Sequence, residues 1–243
     1  MGATHLELVY ALLGAGAASL AMIVGAGLAT WRTPSQYTRS IIGHLAGGVV
    51  CGVVAAELVP EILQMGNPLS LAIGFVVGTA MMISAERMAQ SFFEERGNTG
   101  FLLATGLDVA VDGVLIGFAF AVATDVGWLL VLAFVFELLA LGLAVGTRAA
   151  GDATTKPLRR GLRNAFVLAL PVIPAAAVGN LLLGSAGIAF RQGLLGFATA
   201  VMLFLAVEEL LKEAHEGEER PLATTAFFAG FLLLVLLELA RHG

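Results

Sequence analysis

Apolar residues run almost unbroken along this chain, interrupted at regular intervals by short polar turns. A helix that crosses a bilayer needs about 20 consecutive, mainly apolar residues. The pattern predicts eight such helices, over residues 6–31, 40–63, 68–90, 100–123, 126–147, 162–183, 188–211 and 222–240. The breaks carry turn chemistry: Thr33-Pro34-Ser35, Gly66-Asn67-Pro68, Gly97-Asn98, Asp125 with Gly127, and Arg220-Pro221. The link between spans four and five is short enough to make them an antiparallel hairpin. The expected architecture is an all-α membrane protein, one eight-helix domain over residues 1–243.

Composition agrees. Hydrophobic residues make up 58% of the chain and charged residues 13%, against about 25% charged in soluble proteins. Mean hydropathy is +0.92. The 30 glycines suit helices that approach closely in lipid. Those of span one (Gly14, Gly16, Gly25 and Gly27) allow either a homodimer contact or internal packing. The single cysteine, Cys51, excludes an internal disulfide and a multi-cysteine metal site. A net charge of −5 gives no basis for a nucleic-acid partner. The first apolar stretch is long enough to span and has no basic segment before it, so no cleavable leader is expected.

Charge sets the expected orientation, because loops rich in Lys and Arg stay cytoplasmic. Arg32, Arg39, Arg87, Arg96, Arg148, Lys156, Arg159, Arg160, Arg163, Lys212 and Arg220 fall on one side, and only Arg191 and Arg241 on the other. Both termini are therefore expected outside the cytoplasm, in a multi-pass protein of the cell membrane, a bacterial inner membrane in particular. Span two ends Ala55-Ala56-Glu57-Leu58-Val59-Pro60-Glu61 and span seven ends Val207-Glu208-Glu209-Leu210-Leu211-Lys212-Glu213. These similar stretches would run in opposite directions, the mark of an inverted repeat.

The candidate chemistry lies in carboxylates at membrane depth. One charged side chain there costs about 2.5 kcal/mol or more on insertion scales, so such residues mark wet paths or ion sites. Asp108 and Asp112 are four apart in span four, one turn apart on one face. Two such groups repel unless a cation or a shared proton joins them, and no Lys or Arg of the spans is placed to do so. Glu137 falls mid-way along the hairpin partner, either as a path residue or as a lone hydrogen-bonded carboxyl. Glu208 and Glu209 lie toward the cytoplasmic end of span seven, pointing about 100° apart, and at most one can face the aspartates. Glu57 and Glu61 end span two on the outer side, as entrance residues or a wet terminus. His44 and Cys51 share one face of span two, seven residues apart. Pro171 and Pro174 free backbone carbonyls in span six, with Asn180 further out. The run 213–219, with His215, is an acidic cytoplasmic loop.

With these residues in view, the chain resembles the ZIP family of divalent-metal transporters. His44-Leu45-Ala46-Gly47-Gly48 and Glu57-Leu58-Val59-Pro60-Glu61 are similar to that family's second helix, and Val207-Glu208-Glu209-Leu210-Leu211 to its seventh. Asp108-Val109-Ala110-Val111-Asp112-Gly113 falls where the family has His-Asn-x-Pro-Glu-Gly. Glu137-Leu138-Leu139-Ala140-Leu141-Gly142 falls where it has His-x-x-Pro-Glu-Gly. The resemblance implies eight spans in a three-plus-two-plus-three inverted repeat, and a metal ion as substrate rather than a prosthetic group. Val109 stands at the motif Asn, Leu141 at the second motif Glu and Ile173 at an acidic position of span six, three apolar residues in place of ligands of a second ion, so it implies one metal site.

On this resemblance the ligands are Asp108, Asp112 and Glu208 or Glu209. Glu137, Glu57, Glu61, His44, Cys51 and Asn180 then belong to the transport path. Neither stretch carries the motif proline that breaks the family's helices there. The hairpin is expected to act with spans two and seven. The implied activity is inward transport of a divalent cation (Zn, Fe, Mn or Cd) by alternating access. The rival readings are a proton-coupled transporter of another substrate and a metal sensor that does not transport. An intramembrane metalloprotease is not expected, because the chain has no His-Glu-x-x-His motif.

Overall fold

The computed structural model describes residues 2–88, 98–151, 156–183, 187–207 and 221–242. Among them every regular element is helical. Eight helices are long and apolar enough to cross a membrane, as the hydrophobic pattern requires. Span one is Gly2–Trp31. Span two runs from Gln36 to Met65, an α-helix to Val53, a wider π-helical turn over Val54–Leu58, and a last α-helical stretch Val59–Met65. Span three is Pro68–Met88. Spans four and five are the unbroken helices Asn98–Val122 and Thr124–Gly151. Span six is two helices, Pro157–Ala169 and Val172–Leu183. Span seven begins as Ile188–Phe204, and span eight is Pro221–His242.

Local chemistry explains where the helices depart from the hydropathy pattern. Span two starts at Gln36, before its first long apolar run, because the Ser35 hydroxyl accepts the Thr38 N–H at 3.1 Å and caps the helix. Pro60 has no N–H to close an ordinary helical turn, and the turn before it widens, with the Val59 N–H reaching back to the Val54 carbonyl. Span six starts at Pro157, which suits the first turn of a helix. It then breaks at Leu170-Pro171. The buried Ser19 hydroxyl of span one donates to the Ala169 carbonyl at that break, at 3.3 Å. The freed backbone thus finds an internal partner, as hydrocarbon demands.

The chain forms two compact units. The first comprises Met1–Thr33 and Ala80–Ala186, and so holds spans one, four, five and six with the last residues of span three. The second comprises Pro34–Thr79 and Gly187–Gly243, and so holds span two, most of span three, and spans seven and eight. The hairpin of spans four and five therefore packs with spans one and six, whereas the sequence reading paired it with spans two and seven.

Within each unit, glycines bring backbones into direct contact along parallel helix pairs. In the first unit, Gly25 faces the Leu139 carbonyl, and Gly142 and Gly146 face the backbones of Met22 and Ala26. Positions rise together on both helices, so spans one and five run parallel. Gly113 meets Val172, Gly117 meets Ala176, and Gly179 meets Val114, so spans four and six are parallel too. In the second unit Gly48 meets Phe227 and Gly230 meets Leu45, pairing spans two and eight. Gly74 meets Gly193 and Gly78 meets Phe197, pairing spans three and seven. Of the span-one glycines, Gly14, Gly25 and Gly27 are taken up by internal packing, and only Gly16 faces open space.

Candidate cation site

Asp108 and Asp112 project from one face of span four, and Glu137 meets them from span five. The hairpin turns at Ala123. Asp108 lies fifteen residues before that point and Glu137 fourteen after it, so an antiparallel pair holds them level. Glu137 is central in the 28-residue helix Thr124–Gly151, roughly 20 Å from either end at about 1.5 Å per residue. Each of the three side chains offers an oxygen within 4.8 Å of the other two. Asp112 is 0% and Glu137 1% exposed. The Oδ2 atom of Asp108 is buried with no hydrogen-bond partner among the described residues.

Glycine packing fixes the height of the cluster. Gly113, next to Asp112, lets the Val172 backbone of span six come against span four. Gly142 does the same for Met22 of span one against span five. The break in span six at Leu170-Pro171 therefore lies beside Asp112. Asn180, expected on the transport path, is buried and donates its amide to the Gly117 carbonyl at 3.2 Å, tying span six to span four above the cluster.

The electrostatics call for positive charge. Two unit charges at 4.8 Å repel by about 3.5 kcal/mol at an effective dielectric near 20. Among the described residues no Lys or Arg is buried. Arg148, at the far end of span five, is exposed and lies over the Phe101 ring, 3.8 Å from its centre. The three oxygens lie within 4.8 Å of one another, so an ion centred among them would lie no more than about 2.8 Å from each. The chemistry open to this arrangement is the desolvation and holding of one divalent cation at mid-span.

Among the described residues, no other candidate belongs to this cluster. Val109 is a fully buried apolar group and Ile173 is 42% exposed, and neither of these replacements for second-ion ligands offers a donor. Glu208, Glu209 and the loop 213–219 lie outside the described residues. In the second unit, Glu57 is buried on the π-helical turn and Glu61 half-buried just beyond it. Buried His44 points Nδ1 at the Ser40 carbonyl, 2.8 Å away. A carbonyl only accepts, so Nδ1 carries the proton and a neutral ring keeps Nε2 as acceptor. Cys51 is a half-buried free thiol. None of these four belongs to a group of three metal-ligating side chains among the described residues.

Sequence reasoning put Glu137 on the path, whereas the geometry sets it with the two aspartates. Equal distance from the hairpin turn was the available signal. Buried Ser19 and Thr105 were not singled out. Thr105 precedes Asp108 by three residues and so shares its face, a spacing the sequence already contains.

The chain matches no known protein family model, and a search of curated proteins finds no match. The likeness to the ZIP family therefore stands on the motifs alone.

Proposed function

We propose that this protein carries a divalent metal cation inward across a membrane through the site formed by Asp108, Asp112 and Glu137. The observation that carries this reading is three carboxylates, each offering an oxygen within 4.8 Å of the other two, deep inside one four-span unit. A soluble-type structural role would not require three acids at one point in hydrocarbon. A permeating cation does, because their oxygens replace its water. The ZIP-like motifs point to the same substrate class. In this account Glu57 and Glu61 draw the ion in from outside, and Glu208, Glu209 and the acidic 213–219 loop receive it.

The proposed architecture is an inverted three-plus-two-plus-three repeat with both termini outside the cytoplasm. Two observations support the repeat. Exchanging spans one, two, three and four with six, seven, eight and five turns the pair one–five into six–four, and the pair two–eight into seven–three. These are the four parallel glycine-packed pairs of the two units. In addition, a π-helical turn starts at Val54 in span two and at Leu205 in span seven. That offset also aligns Glu57 with Glu208.

Influx into proteoliposomes containing the purified chain and a metal-sensitive dye tests the function. Divalent-cation entry with the wild type and none with Asp112→Asn is expected. Equal entry in both, or none in either, would reject it.

A further inference from the structure

The donor set of this site, resting on the transport reading above, also points to a class of cation. We infer that the site takes hard divalent cations such as Mn²⁺ and Ca²⁺, and gives soft Cd²⁺ no advantage. All three ligating groups are carboxylates, and the group contains no histidine or cysteine. Imidazole and thiolate donors are what raise the affinity of Zn²⁺ and Cd²⁺ sites, whereas carboxylate, carbonyl and water suit Mg²⁺, Ca²⁺ and Mn²⁺. Among the described residues, neither the cysteine nor a histidine is a member of that group. Cys51 and His44 belong to span two in the second unit, and the His44 Nδ1 is engaged by Ser40. Thr105, on the Asp108 face, would add another oxygen.

Cd²⁺ matches Ca²⁺ closely in size and differs from it in softness, so this pair isolates the donor chemistry.

The test uses the full chain in detergent with Mn²⁺ as the probe, its free form read by electron paramagnetic resonance. Asp112→Asn should abolish the binding, which assigns the signal to this site. In the wild type, Ca²⁺ and Cd²⁺ should displace Mn²⁺ at concentrations within about tenfold of each other. Asp108→His should shift that ratio toward Cd²⁺ by about tenfold or more. Displacement by Cd²⁺ at less than about a tenth of the Ca²⁺ concentration in the wild type overturns the inference. So does binding of Zn²⁺ without Mn²⁺, and both results leave the cation-transport reading standing. Absence of binding by all four ions rejects the transport reading itself. The wild-type competition decides the question even where the histidine variant does not fold.

Discussion

Glu137→Gln separates an ion site from a structural polar cluster, because the two accounts give it opposite signs. The substitution keeps the shape of the side chain and removes one charge. Glu137 faces two aspartates at no more than 4.8 Å, and each pair repels by about 3.5 kcal/mol at an effective dielectric near 20, about 7 kcal/mol in all. Uptake of a cation or a proton relieves this repulsion. If a third of the repulsion persists in chelator, the variant gains about 2 kcal/mol, or roughly 4–8 °C in melting temperature at this chain length. With a divalent cation present, the wild type gains an attraction that the variant has weakened, so the difference shrinks or reverses. Thermal unfolding in detergent, with chelator and then with millimolar Mn²⁺ or Ca²⁺, measures both. A variant that is less stable in chelator, with an unchanged response to cations, would refute the reasoning. It would mean that Glu137 serves as a hydrogen-bonding strut.

Other consequences follow from the packing and the topology. Gly142→Val places a branched side chain against the Met22 backbone and should cost about 1–3 kcal/mol, while Gly16→Ala, with open space around it, should leave the melting temperature within a degree or two. Asn180→Ala removes the bond to the Gly117 carbonyl and should cost about 0.6–1.7 kcal/mol, the range for polar contacts between membrane helices, read in the same melt. In a Cys51→Ser background, Asp125→Cys should react with an impermeant maleimide on intact cells, and Thr33→Cys only after permeabilisation. The reverse pattern would invert the proposed orientation.

Hydropathy alone revealed the eight spans, because hydrocarbon requires long apolar runs and the turns between them are marked by Pro, Gly and Asn. Asp108 with Asp112 was equally plain, since i and i+4 share a helical face whatever surrounds them. Glu137 was legible in principle, through its distance from Ala123, but only to a reader who treated the hairpin as a ruler. The division into two units was not legible. It depends on which glycine faces which backbone, as with Gly113 against Val172 and Gly25 against Leu139, and a glycine by itself names no partner. Ser19 was hidden for the same reason, since its hydroxyl matters only because the broken turn of span six lies opposite. Pro60 announced a disturbance in span two. That the disturbance is a widened turn rather than a kink is a matter of local hydrogen-bond geometry.

The most direct test of the central claim, that Asp108, Asp112 and Glu137 together hold the transported ion, is anomalous diffraction from crystals grown with Mn²⁺. The account predicts a peak between the three carboxylates, about 2–3 Å from an oxygen of each, and its disappearance in Asp112→Asn. Peaks only at exposed acids, with none between these three at saturating Mn²⁺, would contradict it.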